Sequence, residues 1–341
     1  MSAARFRVLR AGPATSLQDA GRPGFARYGV PASGPMDRMA FALANAGVGA
    51  PPGATVVEVS TGGLVLACEQ GALTVALAGG AFRLSVDGVA RGDWAVASIR
   101  AGQRLEVRAG PRGAWACLAF AGRVTARHWL GAAATHGPSG FGGGLLATGD
   151  EIAVEDPTLH PEREGPLPVP PEVRDPPAEI RVVTGPQDRF FAPETLAAFL
   201  AGPFAPTEAR DRMGVRLAGP PLPPAAALDM PSEPVARGSV QVAGDGVATV
   251  LLADHQTTGG YPKIATVISS DLDALAQLRP GDRFRFAAVT PEAAVAAART
   301  RARLLAERTR EAAEAGGDLS RRLLRANLVG GVVDARAADE G

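Results

Sequence analysis

The sequence predicts a mainly β protein made of two related, barrel-like halves. Three observations carry this. Short apolar runs divided by Gly-rich turns recur about every ten residues, the rhythm of barrels and sandwiches. The two halves repeat the same landmarks in the same order. Hydrophobic residues make up 46% but aromatics only 5%, so the core must be Val, Leu, Ala and Ile. At 341 residues the chain has length for about two domains. Its 42 glycines and 29 prolines exceed the ordinary share without reaching a disordered composition.

In the first half, strands are expected over 56–59, 64–67, 73–78, 82–86, 94–99, 105–107 and 115–120. Asp87-Gly88 is a type I′ hairpin signal, because both central residues of that turn need positive φ. One helix is expected over 36–46, where Met36, Met39, Ala40, Leu43 and Ala44 recur at helical spacing. Residues 157–178 carry eight prolines and read as a stiff linker crossing the surface, ending a first domain of 1–156.

The second domain spans 179–289, with strands over 180–183, 215–217, 239–242, 247–253, 264–268 and 283–289. Its helices fall near 193–200, opened by Pro193 and followed by Gly202, and over 271–278, with Ser270 as N-cap and Pro280-Gly281 as the stop. Thr290-Pro291-Glu292 opens a helical tail, 290–341, that frays past Gly316-Gly317 and reads as solvated or partner-facing. The repeat pairs Phe6–Pro13 with Ile180–Pro186 and Asp37-Arg38-Met39-Ala40 with Asp211-Arg212-Met213-Gly214. It closes on Gly149-Asp150-Glu151-Ile152 and Gly281-Asp282-Arg283-Phe284.

Several function classes drop out. A net charge of zero argues against a nucleic-acid binder working by bulk electrostatics. The N-terminus lacks the apolar stretch of a signal peptide, and the longest apolar run, 72–82, is too short for a membrane span. Cys68 and Cys117 lie in strand-like runs and read as buried free thiols, with no Cys-x-x-Cys motif for zinc or redox work. No metal site is expected, and the location expected is the cytoplasm. The four histidines show no spacing of a Ser-His-Asp hydrolase.

The densest polar segment is Ala253–Ile264, between two apolar strands and longer than an ordinary hairpin loop. Gly259-Gly260 lets backbone approach a ligand, while Gln256, Thr257, Thr258, Tyr261 and the adjoining His255 supply polar groups. Lys263 is the one lysine among 35 basic residues, the rest being arginine, which points to a need for a compact ammonium rather than a planar fork. Chance survival of one lysine and a chemically silent turn are the competing readings. Such a set suits a carboxylate, a carboxybiotin or a developing oxyanion. Glu233, between prolines, can accept a proton or simply be a solvated carboxylate, and Gln241 follows on Gly238-Ser239-Val240. Asp211-Arg212 reads more as an ion pair or cap than as an acid, with Arg212 kept among the binding candidates. Ser33 and Asp37, on a Gly/Pro-rich loop, complete them. As a loop residue, Lys263 is expected to be removable without harm to the fold.

These segments resemble the biotin-dependent carboxyltransferase family, also called allophanate hydrolase subunit 2, which includes the C component of bacterial 5-oxoprolinase. The matching motifs are Leu17–Gly24, Gly29–Asp37, Gly185-Pro186-Gln187, Asp211–Gly214, Ser232-Glu233-Pro234 with Gly238–Val242, and Gln256–Thr266. They span residues 6 to 286, and Gln-Thr-Thr-Gly-Gly-Tyr-Pro-Lys-Ile is the most specific. His255 stands where the family commonly has Arg, and Ala20 where it commonly has Leu.

The resemblance implies two cyclophilin-like β-barrel domains. It also implies a partner, the B component or an allophanate hydrolase subunit 1-like protein, with the A component of the same assembly beside it. Three activities follow from it. The first is ATP-dependent opening of 5-oxoproline to glutamate, with the ATP site unlocated and a small amide or lactam as substrate. The second is carboxyl transfer to urea or a related amide, with biotin carried by another chain. The third is a regulatory partner that sequesters a kinase inhibitor. In the first, Lys263, Glu233 and Gln256 are the catalytic candidates, and Lys263 with Thr257 and Thr258 would hold a carboxylate or charged oxygen.

Overall fold

A computed structural model describes residues 3–225 and 230–315. The first half runs β1 (Ala3–Ala11), β2 (Ser16–Gln18), α1 (Arg38–Gly47), β3 (Val56–Ser60), β4 (Leu64–Gln70), β5 (Ala72–Ala78) and β6 (Arg83–Val86). It continues with β7 (Val89–Asp93), β8 (Ala95–Arg100), β9 (Arg104–Arg108), β10 (Trp115–Phe120), β11 (Arg123–Val124) and β12 (Glu151–Glu155). Two sheets result, in the orders β11-β12-β1-β4-β9-β6-β7 and, with the later strand β13 (Gly165–Pro166) at one edge, β13-β8-β5-β10-β3-β2.

Period-two alternation explains how the sheets face each other. On β1, Phe6 and Val8 enter the core while Arg5 and Arg7 point outward to Glu151 and Glu69. The central strands β5 and β10 are buried on both faces. Their large residues, Leu73, Val75, Leu77, Leu118 and Phe120, fill the space between the sheets. Their small ones, Ala76, Ala78, Cys117 and Ala119, form a smooth outer face on which α1 lies. Both cysteines are free and buried, and burial pushes the Cys117 thiol well up. Asp87 and Gly88 join β6 to β7 at φ of 50° and 77°, as the hairpin signal requires.

The expected helix start moves from Met36 to Arg38, because the Asp37 side chain accepts from the Ala40 N–H and caps α1. The Pro-rich stretch does more than connect. Its strand β13 pairs with β8, and Leu167 is buried beneath α1.

The second half contains β14 (Glu179–Thr184), α2 (Pro193–Ala201), β15 (Ala205–Arg210), β16 (Gly214–Ala218), β17 (Glu233–Pro234), β18 (Ser239–Val242) and β19 (Ala248–Leu251). It ends with β20 (Thr258–Gly259), β21 (Lys263–Val267), α3 (Leu272–Gln277), β22 (Arg285–Ala288) and α4 (Pro291–Glu314). Seven strands form a sheet ordered β15-β16-β19-β18-β21-β14-β22, and β17-β20 is a separate two-residue ladder. In each half the last strand returns beside the first, antiparallel for β12 on β1 and parallel for β22 on β14. The echoed Asp-Arg pairs take different places. Asp37 caps α1, whereas the Asp211 carboxylate accepts from Met213 and Gly214 N–H and shapes the β15–β16 turn.

Two helix details differ from expectation. Asp271, not Ser270, occupies the cap position of α3, and its carboxylate is held by Arg181. Helix α4, capped by Thr290, is not merely solvated: Arg301 pairs with Asp273, Arg308 with Glu172, and Ala312 is buried against α1. The part of the expected tail beyond Ala315 lies outside the described residues. No helix among the described residues is long and apolar enough to cross a membrane.

Candidate active site

The centre of the second sheet presents the most unusual polar group in the molecule. Lys263, the first residue of β21, is 3% exposed, so it is a buried strand residue and not the loop residue expected. Its Nζ has no hydrogen-bond partner among the described residues, and the nearest carboxylate oxygen, Oε2 of Glu233, is 3.7 Å away. Beside it on β18, in register, stands Gln241, whose Nε2 is likewise buried without a partner. The Gln241 Oε1 accepts from Gln256 Nε2 at 3.1 Å. Buried donors are satisfied in the great majority of cases, so two such donors side by side mark a receptor for an acceptor group.

Glu233 reaches this point on the β17–β20 ladder, opposite Gly259. A Cβ at Gly259 would lie 2.6 Å from Gln241 Nε2, so glycine is what leaves the space open. The turn after β14 brings in Gln187, which sequence reasoning did not single out as a site residue. It accepts from Lys263 N–H at 2.8 Å through Oε1, and its Nε2 donates to Glu233 Oε2. Its only sequence signal was its place in the Gly185-Pro186-Gln187 motif.

The structure therefore joins Lys263, Glu233, Gln241, Gln256 and Gly259, with Gln187 added. Thr257 contributes its carbonyl to Val235 N–H, Thr258 is exposed on β20, and Tyr261 is half exposed, so Gln241 and Glu233 flank Lys263 in place of the expected threonines. Gly260 lies beside the Ser232 hydroxyl and the Met230 carbonyl. His255 is buried, its Nδ1 2.6 Å from the Gln256 carbonyl, and burial depresses its pKa, so the ring is neutral at pH 7.

Arg212 has a different setting from a substrate contact. It is 5% exposed and forks onto Asp254 at 2.9 and 3.1 Å, donates to Glu58 of β3, and reaches the Gly34 carbonyl at 2.7 Å. Glu58 also accepts from Met36 N–H, and its burial raises its pKa against the pull of Arg212. The cluster ties the first half to the strand end that leads into His255 and Gln256. Asp37 is a buried cap bonded to Gln277, and Ser33, at φ of 54°, keeps a buried hydroxyl with no partner among the described residues. Neither adjoins Lys263 through any hydrogen bond of the network. Among the described residues no group of three or more His, Cys, Asp or Glu is placed to hold a metal. A cavity of about 640 Å³ lies elsewhere, lined by Trp94, Glu172, Arg181, Asp273 and the start of α4.

Residues 28–288 match the carboxyltransferase domain family, subdomains A and B. The C component of the Escherichia coli 5-oxoprolinase is 32% identical over 297 residues, 86% of this chain and 94% of that protein. That of Haemophilus influenzae is 31% identical, covering 81% and 88%. A putative urea carboxylase of Emericella nidulans is 30% identical over 83% of this chain but 24% of its own length. Among solved structures, TTHA0988 superposes with a TM-score of 0.73 at 34% identity, over 83% of this chain and 55% of that one, so the chain spans about half of it. The K. lactis urea amidolyase shares the fold, with a TM-score of 0.81 at 24% identity over 90% of this chain and 20% of its own.

Proposed function

This chain belongs to the carboxyltransferase-domain family, subdomains A and B, and on that footing we propose that it serves as the C component of an ATP-dependent 5-oxoprolinase. With partner subunits it would open the lactam of 5-oxoproline to glutamate. The observation that carries this reading is co-extension. The proteins named as C components of 5-oxoprolinase match along 88% and 94% of their length, whereas the urea enzymes match along 24%, 17% and 16% of theirs.

The chemistry suits the Lys263 cluster. In lactam opening the C–N bond breaks, the oxygen of water ends on the new carboxylate, and the leaving nitrogen takes a proton. Negative charge builds on the carbonyl oxygen, and a fixed ammonium with an adjacent amide donor stabilises it where water is excluded. Amide resonance makes the uncatalysed step slow, and ATP supplies the driving force when it is bound to the assembly. Lys263 begins a strand behind Pro262 rather than ending a phosphate loop, so the ATP site is assigned to a partner. Glu233, held by Gln187, is the base within reach of the same point.

The test is glutamate formation from 5-oxoproline and ATP by this chain mixed with the subunits encoded beside it, each omitted in turn. Turnover should require this chain, and Lys263→Met, which keeps the buried stem, should lower kcat about 10²–10³-fold, the scale of a lost oxyanion donor. No turnover by an assembled complex overturns the reading. The family name favours carboxyl transfer as the second reading, with the same donors holding the carboxylate of a carboxybiotin carried by another chain; urea with a carboxybiotin donor tests it.

A further inference from the structure

We propose that Glu233 is an internal stand-in for a ligand carboxylate, and that Lys263 and Gln241 are the receptor it guards. The proposal deepens the reading above and rests on it only in taking the Lys263 cluster as the reaction site. It fixes the ligand class as a small free carboxylic acid in its ionised form.

Lys263 Nζ and Gln241 Nε2 sit on paired strands, both buried, both lacking an acceptor among the described residues. Leaving a buried donor unmade costs about 1–3 kcal/mol, so both gain from an arriving acceptor. One carboxylate carries two oxygens with lone pairs enough for an ammonium and an amide N–H together. A neutral amide would serve Gln241 and leave the Lys263 charge uncompensated.

Glu233 meets the charge only in part. At 3.7 Å it attracts Nζ without a hydrogen bond, and Gln187 holds the same oxygen from the other side. Its side chain is 41% exposed, and its backbone pairs through a two-residue ladder, so little packing resists its moving aside. Gly259 keeps a methyl out of the space next to Gln241. A ligand carboxylate entering there would replace a poor internal anion by a well-bonded one, and Glu233 would swing toward solvent, still tethered near Gln187.

The lone lysine makes the test direct. Full-length chain grown with ζ-¹⁵N-lysine gives one side-chain NMR signal, from Lys263. Titration with 5-oxoproline should shift it and its neutral carboxamide should not. Glu233→Gln, at a half-exposed position that the fold tolerates, removes the competing charge and should tighten 5-oxoproline binding about fivefold or more. Gln241→Leu should weaken it with the lysine signal of the free protein still present. A Glu233→Gln variant that binds more weakly or equally, or a Lys263 signal silent to 5-oxoproline in both proteins, overturns the proposal. The titration uses neither ATP nor partners. Turnover lost with binding intact would therefore overturn the proposed function and leave this inference standing.

Discussion

Arg212 is enclosed by two carboxylates, Glu58 and Asp254, that arrive from opposite halves of the chain. Removing the guanidinium would leave both uncompensated in the interior, and breaking such a buried cluster costs about 3–5 kcal/mol. Arg212→Met should therefore lower the urea midpoint by that equivalent; a loss below about 1 kcal/mol would show that the carboxylates find other partners. Lys263 was legible in the sequence because a single lysine among arginines is a compositional anomaly. Its burial was not, since the polar segment around it reads as loop. Gln187 was illegible as a site residue for a different reason. An uncharged amide carries no signature, and its partners Glu233 and Lys263 lie 46 and 76 residues away along the chain.

At the scale of elements, alternating apolar residues and Gly-rich turns announced most of the strands. Strand β15 was not expected, because Ala205–Arg210 is largely exposed and bulged and so lacks an apolar stripe. The β17–β20 ladder was equally hidden, since two residues on each side carry no periodicity at all. That ladder shapes the site. Gly259→Ala would place a methyl 2.6 Å from Gln241 Nε2, a contact that the flexible glutamine relieves by turning into the open space. The expected result is a melting temperature within a few degrees of the parent and a roughly tenfold or greater loss of turnover. Unchanged turnover would mean that the space beside Gln241 is not used.

The whole molecule is held together by polar contacts across the two halves as much as by its cores. Gln277 at the end of α3 accepts from Ala114 and Trp115 N–H and donates to Asp37 and the Trp115 carbonyl, while Arg279 reaches the carbonyls of Gly110, Arg112 and Gly113. Arg38 and Arg301 converge on Asp273, and although burial opposes its charge, they hold that carboxyl below its ordinary pKa. Gln277→Leu should orphan two backbone donors and one carboxylate and cost about 2–4 kcal/mol, read as a fall in melting temperature. An unchanged melting temperature would mean the halves are joined by apolar contact alone. The sequence by itself determined the strand rhythm, the free buried thiols, the hairpin turn, the family motifs and the importance of Lys263, because each depends on local periodicity or on a residue type out of place. Only the tertiary structure decided that Arg212 clamps the halves, that α4 packs on α1, and that Gln187, Glu233 and Gln241 meet at Lys263. Those contacts join positions far apart in the chain, and what they do depends on burial and distance, which no local pattern encodes.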